Sequence, residues 1–245
     1  MKPENKRDFM KKPFWARHLA RRIDSALCLL TSFITGVRPK AAQQLDFPSR
    51  QTVYYANHNS HGDFVLVWVS LPKQWRMNTR PVAGADYWLG GRIRRFIIED
   101  VFNGLLVDRG GHQNPQQIID AMSAALQQGE SLIIFPEGTR NTRDDTAMLP
   151  FKSGLYHLAR ANPHTAFVPV WLNNINRVLP KGHYLPVPLL CQVNIGQALY
   201  WQEHEDKAAF LQRSQQALLA LAPYPVNMAT AVAETETETA EGEQI

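Results

Sequence analysis

The sequence of 245 residues has only two cysteines, Cys28 and Cys191, which cannot build a disulfide framework. Such sparse cysteine suits a reducing compartment, where both side chains act as apolar residues. The longest apolar run, residues 25–37, has thirteen residues, whereas a helix that crosses a bilayer needs roughly 20. The whole sequence is 44% hydrophobic and 20% charged, which predicts a globular protein of one domain with appendages.

The net charge of +4 hides three blocks of different sign. Residues 1–40 carry ten lysines and arginines against three acidic residues, a net +7. Residues 41–228 are nearly neutral at +2, and residues 229–245 carry five glutamates and no base. A nucleic-acid-binding domain needs a basic face on the folded domain itself, so the neutral body argues against a nucleic-acid partner.

Residues 1–40 are predicted to form a basic, amphipathic helical arm that docks on a membrane. Apolar side chains recur there at helical spacing, and these are Trp15, Leu19, Ile23, Ala26, Leu30, Phe33, Ile34 and Val37. Arg17, Arg21 and Asp24 fall on the other side, and each base near the surface attracts anionic lipid by about 1 kcal/mol. Two alternatives stay open, a helix packed on the core and a signal peptide, although no small-x-small cleavage site follows Val37.

Strand-like and helix-like patterns alternate along residues 41–226. The predicted strands are Thr52–Ala56, Leu105–Val107, Leu132–Phe135, Phe167–Leu172 and Cys191–Ile195. The predicted helices are Phe64–Leu71, Asp86–Ile98, Pro115–Gln127, Lys152–Ala161 and His204–Leu221. This alternation predicts an α/β domain with a mixed, largely parallel central sheet flanked by helices. Residues 227–245 alternate Thr and Glu without an aromatic residue, and we expect a disordered acidic tail.

The segment Asn57–Asp63 (NHNSHGD) lies between a predicted strand and a predicted helix. His58 and Asp63 could form a dyad in which the carboxylate orients the imidazole and the free ring nitrogen takes a proton. Three alternatives stay open: plain turn residues, a metal site that includes His61, and Ser60 as a nucleophile. The last two fit poorly, because the ligand spacing is loose and a G-x-S-x-G elbow is missing.

A second polar segment, FPEGTR at residues 135–140, directly follows another predicted strand. Proline ends the strand and Gly138 allows a tight turn, so we expect exposed Glu137 and Arg140 side chains. Two further cations lie on other loops, Arg109 and Lys152. Three cations on three loops could converge on one phosphate through charge-assisted hydrogen bonds.

Taken together, these blocks resemble the glycerolipid acyltransferases, the 1-acylglycerol-3-phosphate acyltransferase superfamily. The His-x4-Asp block is His58 to Asp63, and the F-P-E-G-T-R-S block is FPEGTR with Asn141 in the last place. The glycine–apolar–Asp-Arg block is NGLLVDR at residues 103–109, with Asn103 where glycine is usual. The short apolar V-P-[VI] block is Val168–Val170. The four blocks keep the family's order over roughly residues 50–175.

The resemblance implies transfer of a fatty acyl chain from acyl-CoA or acyl-carrier protein to a hydroxyl of a lysophospholipid, with 1-acylglycerol-3-phosphate as the family default. It makes His58 the general base and Asp63 its partner. Acceptor or phosphate binding falls to Arg109, Glu137, Gly138, Thr139, Arg140 and Lys152, and Pro169 shapes the acyl or acceptor pocket. No metal or cofactor is expected besides the acyl donor.

The expected setting is phospholipid biosynthesis or remodelling by an enzyme peripheral to the cytoplasmic face of the inner membrane. Trp75, Tyr87 and Trp88, near Arg92, Arg94 and Arg95, could form a second amphipathic surface for headgroups or CoA phosphates, or only a charged helix face. Two functional alternatives remain: a lipid hydrolase or thioesterase that uses the same dyad, and a non-catalytic protein that binds lipid or acyl-carrier protein.

Overall fold

The computed structural model describes residues 14–60, 62–108, 114–143, 146–173 and 190–223. Six strands form one sheet in the order β3-β2-β4-β1-β5-β6. The strands are β1 (Thr52–Ala56), β2 (Thr79–Gly84), β3 (Leu105–Val107), β4 (Ser131–Ile134), β5 (Ala166–Asn173) and β6 (Gln192–Ile195). All neighbours are parallel except β5 and β6. This confirms the predicted mixed, largely parallel sheet.

Helices cover both faces of the sheet. They are α1 (Phe14–Thr35), α2 (Asp63–Ser70), α3 (Lys73–Arg76), α4 (Ala85–Trp88), α5 (Arg92–Phe96), α6 (Pro115–Gln127), α7 (Gly154–Ala161) and α8 (Lys207–Leu219). Side chains alternate across β1, so that Tyr54 joins a core with Leu66 of α2, while Tyr55 joins a second core with Leu126 of α6 and Phe210 of α8.

Strand β2 has no counterpart among the strands predicted from the sequence. Its sequence, TRPVAG, contains a proline, which normally indicates an edge strand. Yet β2 lies inside the sheet, because it pairs with β4 through Thr79–Pro81 and with β3 through Val82–Gly84. Pro81 therefore falls where the strand changes partner, and its missing N–H costs little.

The prediction of one continuous helix over Asp86–Ile98 is wrong. Gly90 and Gly91 separate α4 from α5, and the chain then continues as a π-helical turn, Ile97–Val101. Glycine pairs favour such a break because they lose more conformational entropy in a helix than other residues do. By contrast, α6 has the predicted bounds, and Asn114 caps it by accepting a hydrogen bond from the Gln116 N–H at 2.9 Å.

Helix α1 packs on the domain and also exposes an apolar surface. Its inner side holds Ala20, and Asp24 accepts a hydrogen bond from the Trp68 indole at 2.8 Å. Its outer side exposes Phe14, Trp15, Leu19, Leu29, Leu30 and Phe33. The single stripe inferred from the sequence is therefore wrong in part, because Ile34 and Val37 pack against the core.

None of the described helices is long and apolar enough to cross a membrane. Residues 1–13 of the predicted arm and the predicted acidic tail, 227–245, lie outside the described residues.

Candidate active site

The sheet topology brings the two polar segments together. Strands β1 and β4 are parallel neighbours with Tyr55 opposite Ile134, so their carboxyl ends meet at one edge. His58 follows β1 at that edge, and the FPEGTR segment follows β4. In α/β proteins, ligand sites lie at this end of the sheet, in the loops that follow adjacent parallel strands.

The predicted His58–Asp63 contact is present. The Nδ1 atom of His58 lies 2.7 Å from Oδ2 of Asp63, which is fully buried in the first turn of α2. The same carboxylate oxygen also accepts from the N–H groups of Asn59 and Ser60 at 2.7 and 2.8 Å. Because Nδ1 is engaged by a carboxylate, Nε2 is the nitrogen left to exchange a proton with a substrate.

The His58 ring is also held by an aromatic neighbour that sequence reasoning did not single out. Phe135 stacks on it, with ring centroids 4.3 Å apart and an angle of 22° between the planes. The His58 side chain keeps 18% of its surface exposed, so the ring is fixed yet reachable. The signal available in the sequence was the place of Phe135 as the first residue of FPEGTR.

The expectation of an exposed Glu137 is wrong. The residue is 1% exposed, and its two carboxylate oxygens accept from the N–H groups of His58 at 2.7 Å and Leu149 at 2.8 Å. Burial raises the pKa of Glu137 to about 7, with a further increase from the charge of Asp63, although both hydrogen bonds oppose the rise. The Glu137 side chain is buried because it extends from the turn after β4 to the loop after β1, where it meets the His58 N–H.

Asn141, which stands in the last place of the FPEGTR block, joins the same loops. Its N–H donates to the carbonyl of His58 at 2.6 Å. Its buried amide side chain donates to the Thr146 carbonyl at 2.8 Å and accepts from the Arg143 N–H at 3.0 Å. The asparagine thus stabilises the loop after β4 by bonds that a serine is too short to copy in full.

A pocket of about 620 Å³ opens beside His58. Four of the predicted acceptor-binding residues line it, and these are Gly138, Thr139, Arg140 and Lys152. Gly138 has a φ of +72°, so the turn needs glycine, and it places the neighbouring loop close to Lys152. Two cations and the free imidazole nitrogen can therefore act on one ligand.

The remaining part of the pocket is largely apolar. Its lining includes Val82, Ala83, Val107, Ile118, Met122, Ile134 and Leu155. Sequence reasoning missed this wall, because half of it comes from β2, which was not predicted, and from the inner side of α6. The spacing of Ile118 and Met122, four residues apart on a predicted helix, was the available signal.

Comparison with known proteins agrees with this arrangement. A family model described as Acyltransferase matches residues 38–173, more than half of the chain. The chain belongs to the acyltransferase family. The resemblance to glycerolipid acyltransferases is thereby confirmed.

Two relatives of this acyltransferase chain share the same name. The chain is 31% identical over 173 residues to a 1-acyl-sn-glycerol-3-phosphate acyltransferase of Limnanthes douglasii, covering 65% of this chain and 54% of that protein. It is 35% identical over 172 residues to the enzyme of that name from Saccharomyces cerevisiae, covering 67% and 53%. The chain spans about half the length of the curated relatives it matches.

A solved structure of a bacterial protein shares the fold of this acyltransferase chain. It is the crystal structure of the 1-acyl-sn-glycerophosphate (LPA) acyltransferase PlsC from Thermotoga maritima, with a TM-score of 0.63. The two are 17% identical, and the match covers 84% of this chain and 79% of that one.

Besides the buried Asp63 and Glu137, Pro169 is a predicted site residue that the described pocket lining of the acyltransferase does not include. Arg109 and His61 lie outside the described residues. Pro169 is buried within β5, opposite Tyr55 of β1, and its ring touches the position of Gly196 beyond β6. Pro169 is not among the described residues that line the pocket, and its role in shaping the acyl or acceptor pocket stays a prediction.

One alternative from the sequence, Ser60 as a nucleophile, finds little support in the geometry. Ser60 is buried, and its hydroxyl oxygen accepts from the Gly62 N–H at 3.3 Å. The metal alternative stays untested, because it includes His61, which lies outside the described residues. The second amphipathic surface is also smaller than expected, because Trp75 is buried against Phe47 with ring centroids 5.7 Å apart.

Proposed function

We propose that the protein transfers a fatty acyl chain from acyl-CoA or acyl-carrier protein to the free hydroxyl of a lysophospholipid, with 1-acylglycerol-3-phosphate as the acceptor. The observation that carries the proposal is the 2.7 Å His58–Asp63 pair beside a pocket that is cationic in one part and apolar in another. The names of the relatives support this acceptor.

The proposed chemistry is direct acyl transfer with His58 as the general base. Nε2 takes the proton from the acceptor hydroxyl while its oxygen attacks the thioester carbonyl. The tetrahedral intermediate collapses, an ester C–O bond remains and the C–S bond breaks. The imidazolium then returns its proton to the leaving thiolate. Asp63 stabilises the imidazolium through its bond to Nδ1, and this acid–base cycle requires no redox cofactor.

The pocket suggests how the substrates are arranged. Arg140 and Lys152 would bind the phosphate of the acceptor by charge-assisted hydrogen bonds. The apolar wall, to which β2, β3, β4, α6 and α7 contribute, would bind an acyl chain, because burying each CH₂ group contributes about 0.8 kcal/mol. His58 lines the same pocket, so the hydroxyl and the thioester would meet beside it.

We also propose that the protein is peripheral to a membrane, on the cytoplasmic face of the inner membrane. The outer side of α1 exposes several large apolar side chains, among them Leu29 at 71% and Phe33 at 84%. Arg21 and Arg22 are exposed on the same helix. A helix of this kind can lie in the interface with its apolar side among the lipid chains.

The experiment that tests the function is a product analysis with the purified full-length chain. Labelled acyl-CoA and acyl-carrier protein are each offered with 1-acylglycerol-3-phosphate, other lysophospholipids and no acceptor. We expect a diacylated phospholipid as the main product, formed only when an acceptor is present. Free fatty acid as the main product would indicate a hydrolase or thioesterase, and binding of lipid without turnover would indicate a non-catalytic protein.

A further inference from the structure

We infer that Glu137 is a positioning residue that holds the backbone of His58 for proton transfer, and that it does not bind the acceptor. This inference rests on the proposed function, because it assigns a task within the same site. It departs from the role that the family resemblance implies for this glutamate.

The first argument is that Glu137 has no atom available for a substrate. The side chain is 1% exposed, and it is absent from the pocket lining, whereas its neighbours Pro136 and Gly138 belong to that lining. Both carboxylate oxygens already accept a backbone N–H, at 2.7 and 2.8 Å. With both oxygens bonded to backbone N–H groups, Glu137 presents no atom to an acceptor phosphate.

The second argument is that these bonds determine where His58 lies. The N–H of His58 donates to Glu137, and its carbonyl accepts from the Asn141 N–H at 2.6 Å. Both backbone polar groups of the base are therefore held by the segment after β4. With Asp63 on Nδ1 and Phe135 on the ring face, the glutamate completes the set of contacts that fix the imidazole.

The third argument is that Glu137 joins the base to the cationic side of the pocket. Its second oxygen accepts from Leu149, and three residues later the Lys152 N–H donates to the Pro136 carbonyl at 2.8 Å. The carboxylate thus connects the loop after β1, the turn after β4 and the segment that leads into α7. Its loss should displace His58 relative to a bound acceptor, and a displacement of 1 Å can lower a rate by about 100-fold.

The test is the steady-state kinetics of Glu137→Gln, which keeps the shape but turns one acceptor oxygen into a donor. With acyl-CoA and 1-acylglycerol-3-phosphate, we expect kcat to fall by about 10-fold to 100-fold. The KM for the acceptor should stay within about two-fold, because positioning of the base does not change binding of the phosphate. Glu137→Asp, which keeps the charge but is one CH₂ shorter, should recover part of kcat.

A matched control is Glu130→Gln, which removes another buried carboxylate at the opposite end of β4. Glu130 is 1% exposed and accepts from Arg80 at 3.0 Å, far along the strand from the pocket. We expect this variant to unfold at lower denaturant concentration while kcat of the folded enzyme stays within about two-fold of the parent. If kcat falls for Glu137→Gln but not for Glu130→Gln, the loss therefore reports displacement of His58 and not general destabilisation.

The outcomes are separable. If Glu137→Gln raises the acceptor KM and leaves kcat unchanged, Glu137 binds the acceptor and the inference is wrong, while the proposed function stands. If kcat and KM both stay at parental values, the inference is also wrong. If the parent protein transfers no acyl group to any acceptor, the proposed function itself fails. Should Glu137→Gln not fold, Glu137→Asp decides in its place: a lower kcat with an unchanged acceptor KM supports the inference, and a raised KM with an unchanged kcat contradicts it.

Discussion

At the scale of single residues, environment assigns different tasks to two carboxyl groups near one imidazole. Asp63 accepts from Nδ1 of His58 and from two N–H groups of its own turn. Glu137 instead accepts from the His58 backbone, and burial raises its pKa to about 7. The sequence pattern could name both acids, but it could not assign them to ring or backbone, because that depends on how two loops pack.

Arg140→Gln tests the phosphate site. Hydrogen bonds to charged groups contribute roughly 1.5–3 kcal/mol, so we expect the KM for 1-acylglycerol-3-phosphate to rise by about 10-fold to 100-fold. The control is a monoacylglycerol acceptor, which lacks the phosphate and should not distinguish parent from variant. An unchanged KM for the phosphorylated acceptor would remove Arg140 from the site.

Glu137 also predicts a pH dependence of stability. Its pKa is raised from 4.5 to about 7, so between these values the folded protein retains a proton that the unfolded chain has released. The contribution of Glu137 to the free energy of unfolding therefore falls as pH rises from about 4.5 to about 7, and it is constant above.

Urea denaturation of the parent and Glu137→Gln at several pH values measures this effect. The difference in free energy of unfolding, parent minus variant, should decline by an amount on the order of 3 kcal/mol between pH 4.5 and pH 7.5. The charge of Asp63 contributes to the raised pKa of Glu137, so its effect is part of this difference. A difference that does not change with pH contradicts a raised pKa for Glu137.

At the scale of elements, the turn before β3 explains one departure from the family pattern. Asn103 replaces the usual glycine and has a φ of +49°, a left-handed conformation that asparagine tolerates. The glycine is needed at position 104 instead, because a Cβ there would lie 2.7 Å from side-chain atoms of Ile98. Arg80 holds this turn by donating from Nε to the Asn103 carbonyl at 2.8 Å.

Substitution of Asn103 tests this explanation. Asn103→Ala should lower the free energy of unfolding by about 1 kcal/mol, because a left-handed conformation costs an L-residue roughly 1–2 kcal/mol. Asn103→Gly is the matched control and should be at least as stable as the parent. Equal destabilisation by alanine and glycine in urea denaturation would show that the Asn103 side chain, and not the backbone conformation, matters.

Local sequence signals predicted an element correctly where its own residues set its bounds. They failed where pairing with a neighbouring strand sets them. The bounds of β1 and α6 were predicted correctly, since the first is a continuous apolar run and the second has an asparagine cap and a proline start. Strand β2 was missed because its proline is tolerated only through a change of neighbour within the sheet. The apolar wall of the pocket was missed with it.

At the scale of the whole molecule, α1 belongs both to the domain and to its outer surface. The Cys191 N–H donates to the Thr35 carbonyl at 2.8 Å, and Val37 is buried in the core. Removing the arm would therefore uncover the core and confuse loss of docking with loss of folding. Point substitutions on the outer side test membrane contact without that complication.

Replacing Leu29 and Phe33 together by Asp should weaken binding to anionic vesicles by about tenfold or more, since burial of one such side chain contributes roughly 1.5–3 kcal/mol. Co-sedimentation of the full-length chain with vesicles measures the binding. Tyr200→Asp is the control, because Tyr200 is 43% exposed and its carbonyl accepts from Arg213 of α8, a helix that covers the other face of the sheet from α1. If both variants bind like the parent, α1 is not the docking surface.

The central claim is that His58 is the base for acyl transfer, and one measurement tests it most directly. Acyl transfer from labelled acyl-CoA to 1-acylglycerol-3-phosphate is followed for the parent and for His58→Ala at equal folded concentration. A general base typically contributes 10²–10⁴-fold, so we expect kcat to fall by about that range while the protein still binds lipid. Transfer by His58→Ala within a few-fold of the parent would contradict the account.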